Sequence, residues 1–341
     1  MKYLQLEIAE PLLIWYQRNK RDLPWRSNPT CYKTVVSEFM LQQTRVETVL
    51  PYFKNWLTKF PSFKILAESD ENEVMKAWEG LGYYSRARNL RKLAIKINNL
   101  ETIPKTQKEW LVLPGIGPYT SAAISSICFN EKDAVVDGNV VRVLTRIKNI
   151  ETEFKDGSQA VKILTPLANE LLCEKYPGDY NQAIMELGAT VCHKQKPLCI
   201  LCPVQKQCES FKNQSVDQKP KIKPKKIVKK EVNRVISLKK DRILLHKNPT
   251  EYKRLANVYE IPTLEQTGLK NIETMPFLLK NKRSISNERI TEFFYYYKEE
   301  KDVSSQENLH WVQKHDLGRI TLSGPHKKWI FSLIESCESC I

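Results

Sequence analysis

Four cysteines fall within seventeen residues, spaced Cys192-x6-Cys199-x2-Cys202-x5-Cys208. Four thiolates on one short loop can surround a single metal centre, either a zinc ion or an iron–sulfur cluster. Zinc ribbons usually present two C-x2-C pairs, whereas here only Cys199 and Cys202 are so closely spaced. Two acids stand where a charge is unexpected. Glu38 sits in YKTVVSEFMLQQT, read as the start of an apolar helix, and Asp137 sits in AVVDGNVVRVL, after an apolar run and before a helix. Each has a plain structural explanation: a first-turn acid favoured by the helix dipole for Glu38, and an N-cap for Asp137. As a pair in unlike environments, two such carboxylates can divide acid catalysis from charge stabilisation, as in sugar hydrolysis. A third feature is LVLPGIGPYTSAAI (111–124), read as a helix end, a tight turn and a new helix. Gly115 and Gly117 would let the backbone turn sharply and bring helix-start N–H groups close to a phosphate. Read alone, PGIG is equally a plain turn between helices.

These groups need a scaffold, and the pattern predicts one. Apolar residues recur at three and four spacing in 34–57, 73–79, 87–99, 120–129, 139–149 and 159–173, so residues 1–212 are expected to be mainly α-helical. Then comes KPKIKPKKIVKK (219–230), seven lysines in twelve residues with no acid. Self-repulsion and the prolines predict an extended basic linker over 213–232, solvated and facing a polyanion; a nuclear-import signal is the other reading of such a run. Beyond it the texture changes to short β-branched and aromatic runs: VNRVISLKK, RILLHK, NVYEIPTL, ITEFFYYYK and HWVQK. These predict strands, while IETMPFLLKN (272–281) and SGPHKKWIFSLIES (323–336) predict helices. Residues 233–341 are therefore expected to form a second, α+β domain.

Composition narrows the class. A chain of 341 residues with 41% apolar and 27% charged residues is an ordinary globular protein, long enough for two cores. A formal charge of +15 points to a polyanionic partner, foremost nucleic acid, although an anionic membrane surface would meet the same charge. No stretch approaches 18 apolar residues, so no membrane span is expected. Acids precede the apolar stretch of MKYLQLEIAEPLLIWYQRNK, which argues for an amphipathic first helix over a secretory signal. Of the nine cysteines, Cys31, Cys128 and Cys173 lie singly among apolar residues and read as small core residues. Cys337-x2-Cys340 lacks partners for a metal site. The pattern suits a reducing compartment.

The 6-2-5 cysteine spacing, with YNQAIMELGATVC before it and HKQKPLC within it, resembles the [4Fe–4S] loop of the endonuclease III superfamily of DNA glycosylases. LPGIGPYT then resembles that superfamily's helix-hairpin-helix. Across residues 20–212, RDLPWR (21–26), SEFMLQQT (37–44), WEGLGYYSRARNL (78–90), LPGIGPYT (113–120), VDGN (136–139) and the cysteine loop resemble the motifs of MutY-type adenine glycosylases, in order. The resemblance implies a six-helix barrel with an iron–sulfur domain, one [4Fe–4S] cluster on Cys192, Cys199, Cys202 and Cys208, and excision of adenine opposite 8-oxoguanine or guanine. It implies that Glu38 protonates adenine N7 and then activates or positions water, and that Asp137 stays ionised beside the cationic sugar. Where the lyase branch keeps a Schiff-base lysine this chain has Tyr119, which implies a monofunctional enzyme; Tyr119 would hydrogen-bond in the site, with Asp137 as partner, and Asn139 would join the network. Trp25, Arg26 and Gln182 match adenine-pocket positions. Gln43 and Tyr83, with Leu41 beside them, match residues that fill the gap left by the flipped base, and one of Tyr83 and Tyr84 is expected to be packing. Gln42 and Gln43 stand where a related thymine-mismatch enzyme has arginines.

Residues 233–341 resemble the Nudix-like domain of that family in ILLHKNPTEYKRLANVYEIPTLE, without the Glu-rich metal helix of a hydrolase. That implies recognition of 8-oxoguanine without hydrolysis. The family's Phe-Ser-His loop corresponds to Ile285-Ser286-Asn287, in which Ser286 alone survives. The expected setting is the cytoplasm in association with the nucleoid, or a nucleus or mitochondrion in a eukaryote, and the expected state is a monomer on duplex DNA. The competing readings are a glycosylase for another mismatched base, such as thymine opposite guanine, and a non-catalytic iron–sulfur DNA-binding module.

Overall fold

The computed structural model describes residues 2–252, 255–298 and 306–338. In chain order the first helices are α1 (Lys2–Asn19), α2 (Cys31–Leu41), α3 (Val46–Lys59), α4 (Phe63–Glu68), α5 (Glu71–Ala77), α6 (Ser85–Asn98) and α7 (Gln107–Leu111). They are followed by α8 (Pro118–Phe129), α9 (Gly138–Ile147), α10 (Gly157–Leu171), α11 (Pro177–Thr190), α12 (Glu209–Lys212), α13 (Leu264–Thr267) and α14 (Gly324–Glu338). The strands are β1 (Glu153–Phe154), β2 (Lys221–Ile222), β3 (Val228–Ile236), β4 (Leu238–Lys239), β5 (Arg242–Lys247), β6 (Tyr259–Glu260), β7 (Phe277–Ile285), β8 (Glu288–Tyr296) and β9 (Leu309–Gln313). They form two compact units. Residues 1–43 with 96–225 make the first, and residues 44–95 with 226–341 make the second.

The first unit is helical around one apolar core in which Leu12, Val135, Val140, Leu144, Phe154 and Leu187 are almost wholly buried. Each such side chain contributes about 1.5–3 kcal/mol on leaving water. Local chemistry sets the helix starts. Thr30 caps α2, Thr106 and Glu109 form a capping box on α7, and Pro118 opens α8. α11 crosses α8 so closely that a Cβ on Gly178 would lie 2.6 Å from the Ser126 carbonyl oxygen and 2.9 Å from Cα of Ile127. Backbone cannot yield as a flexible side chain can. Gly178→Ala is therefore expected to destabilise this unit by about 1–3 kcal/mol, read as a midpoint lowered by several degrees in thermal melting; an unchanged midpoint would show that α11 has room to spare.

The second unit is α+β. Its helical part is built on Trp56, whose ring meets Phe60 at 4.8 Å and Trp78 at 5.4 Å, edge to face. In one sheet β3 runs parallel to β8, and β7 pairs antiparallel with β8. In the other, β5 pairs antiparallel with β4, β6 and β9. Phe294, Ile236, Ile243, Ile330 and Leu333 form a core between these strands and α14. Residues 44–95 are anchored to residues 226–341 by named bonds: Tyr84 Oη to the Leu322 carbonyl at 2.8 Å, Arg88 to the Ala256 carbonyl at 2.9 Å, and Lys327 Nζ to Glu79 at 2.6 Å.

The structure departs from the sequence expectations at three places. The helix expected over 272–281 is a single tight turn (Ile272–Thr274) followed by β7. Pro276 removes a helical donor, and the register with β8 satisfies the backbone that a helix would otherwise have paired. The periodic stretch 34–57 is broken at 42–45, where Gln43 takes φ +57°, so it forms two helices. The basic stretch 213–232 is only partly extended coil. Lys221–Ile222 pairs in parallel with Glu153–Phe154, Lys219 and Lys221 both ion-pair with Glu151, and β3 has begun by Val228. Opposed acids remove the self-repulsion on which the expectation rested.

Candidate active site

α2 begins at Cys31, so Glu38 lies in its last turn, and a favourable dipole cannot account for an acid there. Glu38 is buried, 7% exposed as a residue. Burial lifts its pKa to about 7; the charge of Asp137 adds to the rise, while a hydrogen bond from Tyr119 and the charge of Arg26 oppose it. Tyr119, in the first turn of α8, thus pairs with Glu38 and not with Asp137, and its hydroxyl also meets Sδ of Met185 at 3.1 Å. Burial and the two carboxylates push that phenol well above its usual range.

Asp137 is the N-cap of α9: Oδ1 accepts from the Val140 amide at 2.7 Å and Oδ2 accepts from Asn139 Nδ2 at 3.1 Å. The capping explanation is therefore correct, and it does not compete with the chemical one. The cap holds the carboxylate where its charge acts on Glu38. Burial raises its pKa, opposed by those amide donors and by Arg142.

The expected base pocket lies in the same unit. Trp25 is buried, and Gln182 Oε1 accepts from Tyr16 Oη at 3.2 Å. Arg26 lies over the Tyr16 ring at 5.4 Å and donates to Glu186 at 2.9 Å. Glu186 was not anticipated. It is 1% exposed, and although burial pushes its pKa up, bonds from Arg21 and Arg26 hold it at about 2. The signal was an acid in the apolar face of AIMEL, the same signal that marked Glu38. Leu41 is half-buried at the end of α2, Gln42 donates to Thr120 Oγ1 at 3.3 Å, and Gln43 is exposed. In the hairpin, Gly115 takes φ +75°, which a residue with Cβ resists. Gly117 needs no such freedom: it caps α8 at φ −107°, and a Cβ there would meet nothing within 4 Å. Its missing side chain leaves open space before the helix start.

The two remaining positions belong to the second unit. Tyr83 is 41% exposed with φ +47°, beneath the Arg86 guanidinium at 5.5 Å, while Tyr84 is the packed partner, 1% exposed. Ser286 takes φ +54° in the two-residue turn between β7 and β8. Tyr83 and Ser286 line one cavity of about 290 Å³, together with Glu260, Arg283, Ser284 and Ser323.

Cys192, Cys199, Cys202 and Cys208 all line a second cavity, with Arg146 and Phe211. Among the described residues no three His, Cys, Asp or Glu side chains stand at ligand spacing. The donor set nonetheless suits a soft metal centre: four thiols face one space, and Arg146 donates to Cys192 Sγ at 3.2 Å, the kind of bond that steadies a ligating thiolate. Burial lifts the Cys202 thiol to about 12. Lys194 and Lys196 are exposed on the intervening loop. Arg142 connects the two sites, donating to the Cys192 carbonyl at 2.7 Å and to Asn139 Oδ1 at 3.0 Å. Two arginines four apart in the otherwise apolar VVRVLTRI were the available signal. Cys31 and Cys128 prove not to be solitary, since each thiol shifts the other's titration, Cys31 upward and Cys128 downward. The side chain of Cys337 and the whole of Cys340 lie outside the described residues. No helix among the described residues is long and apolar enough to cross a membrane.

Comparison with known proteins places this arrangement. Residues 36–168 match the family described as HhH-GPD superfamily base excision DNA repair protein. An adenine DNA glycosylase of Schizosaccharomyces pombe is 39% identical over 239 residues, covering 63% of this chain and 52% of the yeast protein. This chain thus spans about half the length of that relative. An adenine DNA glycosylase of Buchnera aphidicola subsp. Schizaphis graminum is 34% identical over 299 residues, covering 84% of this chain and 83% of its own. Among solved structures, a thermostable thymine-DNA glycosylase is 28% identical with a TM-score of 0.54, covering 62% of this chain and 98% of that one. With a helical hairpin unit, an α+β unit and a relative matched over most of both lengths, this chain belongs to the adenine DNA glycosylase family.

Proposed function

We propose that the protein excises adenine mispaired with 8-oxoguanine or guanine in duplex DNA by hydrolysing the N-glycosidic bond. The observation that carries this reading is Glu38, a buried carboxyl held near neutrality beside a second, N–H-bonded carboxylate. With a pKa of about 7, Glu38 carries a proton to give at N7 of adenine. As the C1′–N9 bond breaks, its electron pair leaves with the base and the sugar becomes cationic. Asp137, anchored by two N–H groups, faces that charge. Glu38, now ionised, takes a proton from the water that adds to C1′. Tyr119 orients Glu38, and as a phenol it forms no imine with the sugar, so the enzyme is monofunctional.

Trp25, Arg26 and Gln182 line the pocket for the extruded adenine, with Glu186 fixing Arg26. Extrusion costs a few kcal/mol, and Leu41 and Gln43 fill the space it leaves. Gly115 and Gly117 let the hairpin amides approach a phosphate, a contact that positions DNA without reading sequence. Residues 233–341 act as the Nudix-like lesion-recognition domain, the cavity holding Tyr83 and Ser286 receives the partner base, and residues 1–212 carry the chemistry. The four cysteines hold one [4Fe–4S] cluster, which when bound organises the 192–208 loop so that Lys194 and Lys196 face phosphate. The protein acts as a monomer.

The deciding experiment measures base release from duplexes carrying A opposite 8-oxoguanine, G or C, and T opposite G. Release of adenine from the first two is expected; release of thymine but not adenine would overturn the reading. The purified protein is also expected to absorb in the visible through sulfur-to-iron charge transfer. Zinc, with its filled d shell, gives no such band, so a colourless protein containing zinc would refute the cluster.

A further inference from the structure

β8 carries aromatic residues on both of its faces. Phe294 is fully buried, its ring 5.0 Å from that of Trp329 in α14, and Tyr296 packs against the same core. Alternation sends Phe293 and Tyr295 to the opposite face of the strand. Strand pairing completes that second face. Phe277 of β7 stands opposite Tyr295, Lys280 opposite Phe293 and Lys282 opposite Thr291, while Lys229 of β3 stands opposite Arg289. The side chains agree with the register: the Phe277 and Tyr295 rings meet edge to face at 5.7 Å, and Lys280 Nζ lies 4.9 Å from the centre of the Phe293 ring. Phe277 is 55% exposed, Phe293 and Tyr295 are partly exposed, and all four cations are exposed. A single acid, Glu231, shares the face with them. We propose that this outward face of the β3–β8–β7 sheet binds single-stranded nucleic acid, with a base stacked on Phe277 and phosphates held by Lys280, Lys282 and Arg289.

Sheet stability alone does not account for this surface. A cross-strand aromatic pair steadies a sheet, and a lysine stem laid over a ring covers apolar area. Neither explains a phenylalanine that keeps more than half its surface in water, nor four cations against one acid. Together the two features match a polyanion that also presents flat apolar rings. Every nucleic acid supplies the charge, but a duplex hides the faces of its bases against one another. An unpaired strand leaves them open to stack on an aromatic side chain, and such stacking tolerates any base. The cations are placed to follow the backbone of that strand. Lys280 and Lys282 are two residues apart on β7, so they rise from the same side about 7 Å apart, and Arg289 continues the row toward the β7–β8 turn. The aromatic rings thus lie at one end of the face and the cations run toward the other. None of these residues belongs to the hairpin or to the catalytic pair, so the face is a second nucleic-acid contact with a different form of the polymer.

The test is fluorescence anisotropy of the full-length protein with a labelled oligothymidine of about ten nucleotides, a probe with no adenine to excise. Phe277→Ala should weaken binding about fivefold or more, and Phe277→Tyr should bind as the parent does. Lys280→Ala combined with Lys282→Ala should flatten the dependence of log affinity on log salt by about 1.4, two phosphates at about 0.7 each. Equal affinity in Phe277→Ala and the parent, or an unchanged salt slope, would overturn the proposal. So would capture by vesicles of anionic phospholipid without binding of the oligothymidine, which would make the face a membrane contact. Ultraviolet cross-linking of the unmodified protein to the same oligomer carrying 5-iodouracil keeps the test open where a variant fails to fold. Peptide mapping should then mark the peptide holding Phe277 or the one holding Tyr295, and cross-links confined to residues 1–225 would refute the site. Adenine release from a mispaired duplex should be unchanged in the variants; its absence from the parent would count against the proposed function and not against this face.

Discussion

Glu38→Gln is expected to cut adenine release by about 10²–10⁴-fold while making the protein more stable at alkaline pH. Glutamine keeps the volume and an oxygen for the Tyr119 hydroxyl, but it has no proton to give. The stability gain follows from the raised carboxyl pKa of about 7, against 4.5 in the unfolded chain. Because the fold favours the protonated form, the stability linked to Glu38 is fully present below about pH 4.5 and is lost as pH rises through 7. Glutamine suffers no such loss, so the variant should gain up to about 3 kcal/mol above neutrality and nothing in acid. Wild-type turnover should fall over the same rise in pH as the acid ionises. Melting both proteins at about pH 5 and pH 8.5 reads the gap. Undiminished excision by the variant, or an equal stability difference at the two pH values, would refute the buried-acid role.

That such an acid could be found from sequence at all reflects what burial does to composition. A charged residue in an apolar periodic run is costly, so it stands out in a string of letters. Glu38 in VVSEFML was legible for that reason, and Glu186 in AIMEL was equally legible but passed over. Asp137 was harder, because an acid before a helix has a sufficient local cause in capping, and only its neighbours in three dimensions show that its charge acts on Glu38. Partnerships were the least legible. Tyr119 sits in the first turn of α8, and whether it faces Glu38 or Asp137 depends on how three helices cross, which periodicity does not encode. The mutual influence of the Cys31 and Cys128 thiols joins residues 97 apart in the chain, and the arginine that ties Asn139 to Cys192, Arg142, is visible only once α9 is laid beside the cysteine loop. In the second unit the strands at RILLHK, ITEFFYYYK and HWVQK were read from β-branched and aromatic alternation, but IETMPFLLKN was misread. Short apolar runs fit either period, and strand pairing across 277–296 decided the outcome.

The second large effect is expected at Asp137, where two substitutions separate its two duties. Asparagine is as good an N-cap as aspartate, so Asp137→Asn should keep the bond from the Val140 amide and leave the melting temperature close to that of the parent. What it loses is charge. A fixed carboxylate facing a cationic sugar in a water-poor cleft contributes on the order of ~3 kcal/mol, so excision should fall by about 10²-fold or more, while binding to the mispair persists. Alanine removes cap and charge together: Asp137→Ala should show the same kinetic defect and an added stability loss of about 1 kcal/mol. The pair of variants is the test, measured by single-turnover excision and by melting. If asparagine were as active as aspartate, the carboxylate would be a cap alone and the cation would need another partner. If asparagine instead lost stability as alanine does, the Val140 bond would owe its strength to the charge, and the two duties of Asp137 would be one.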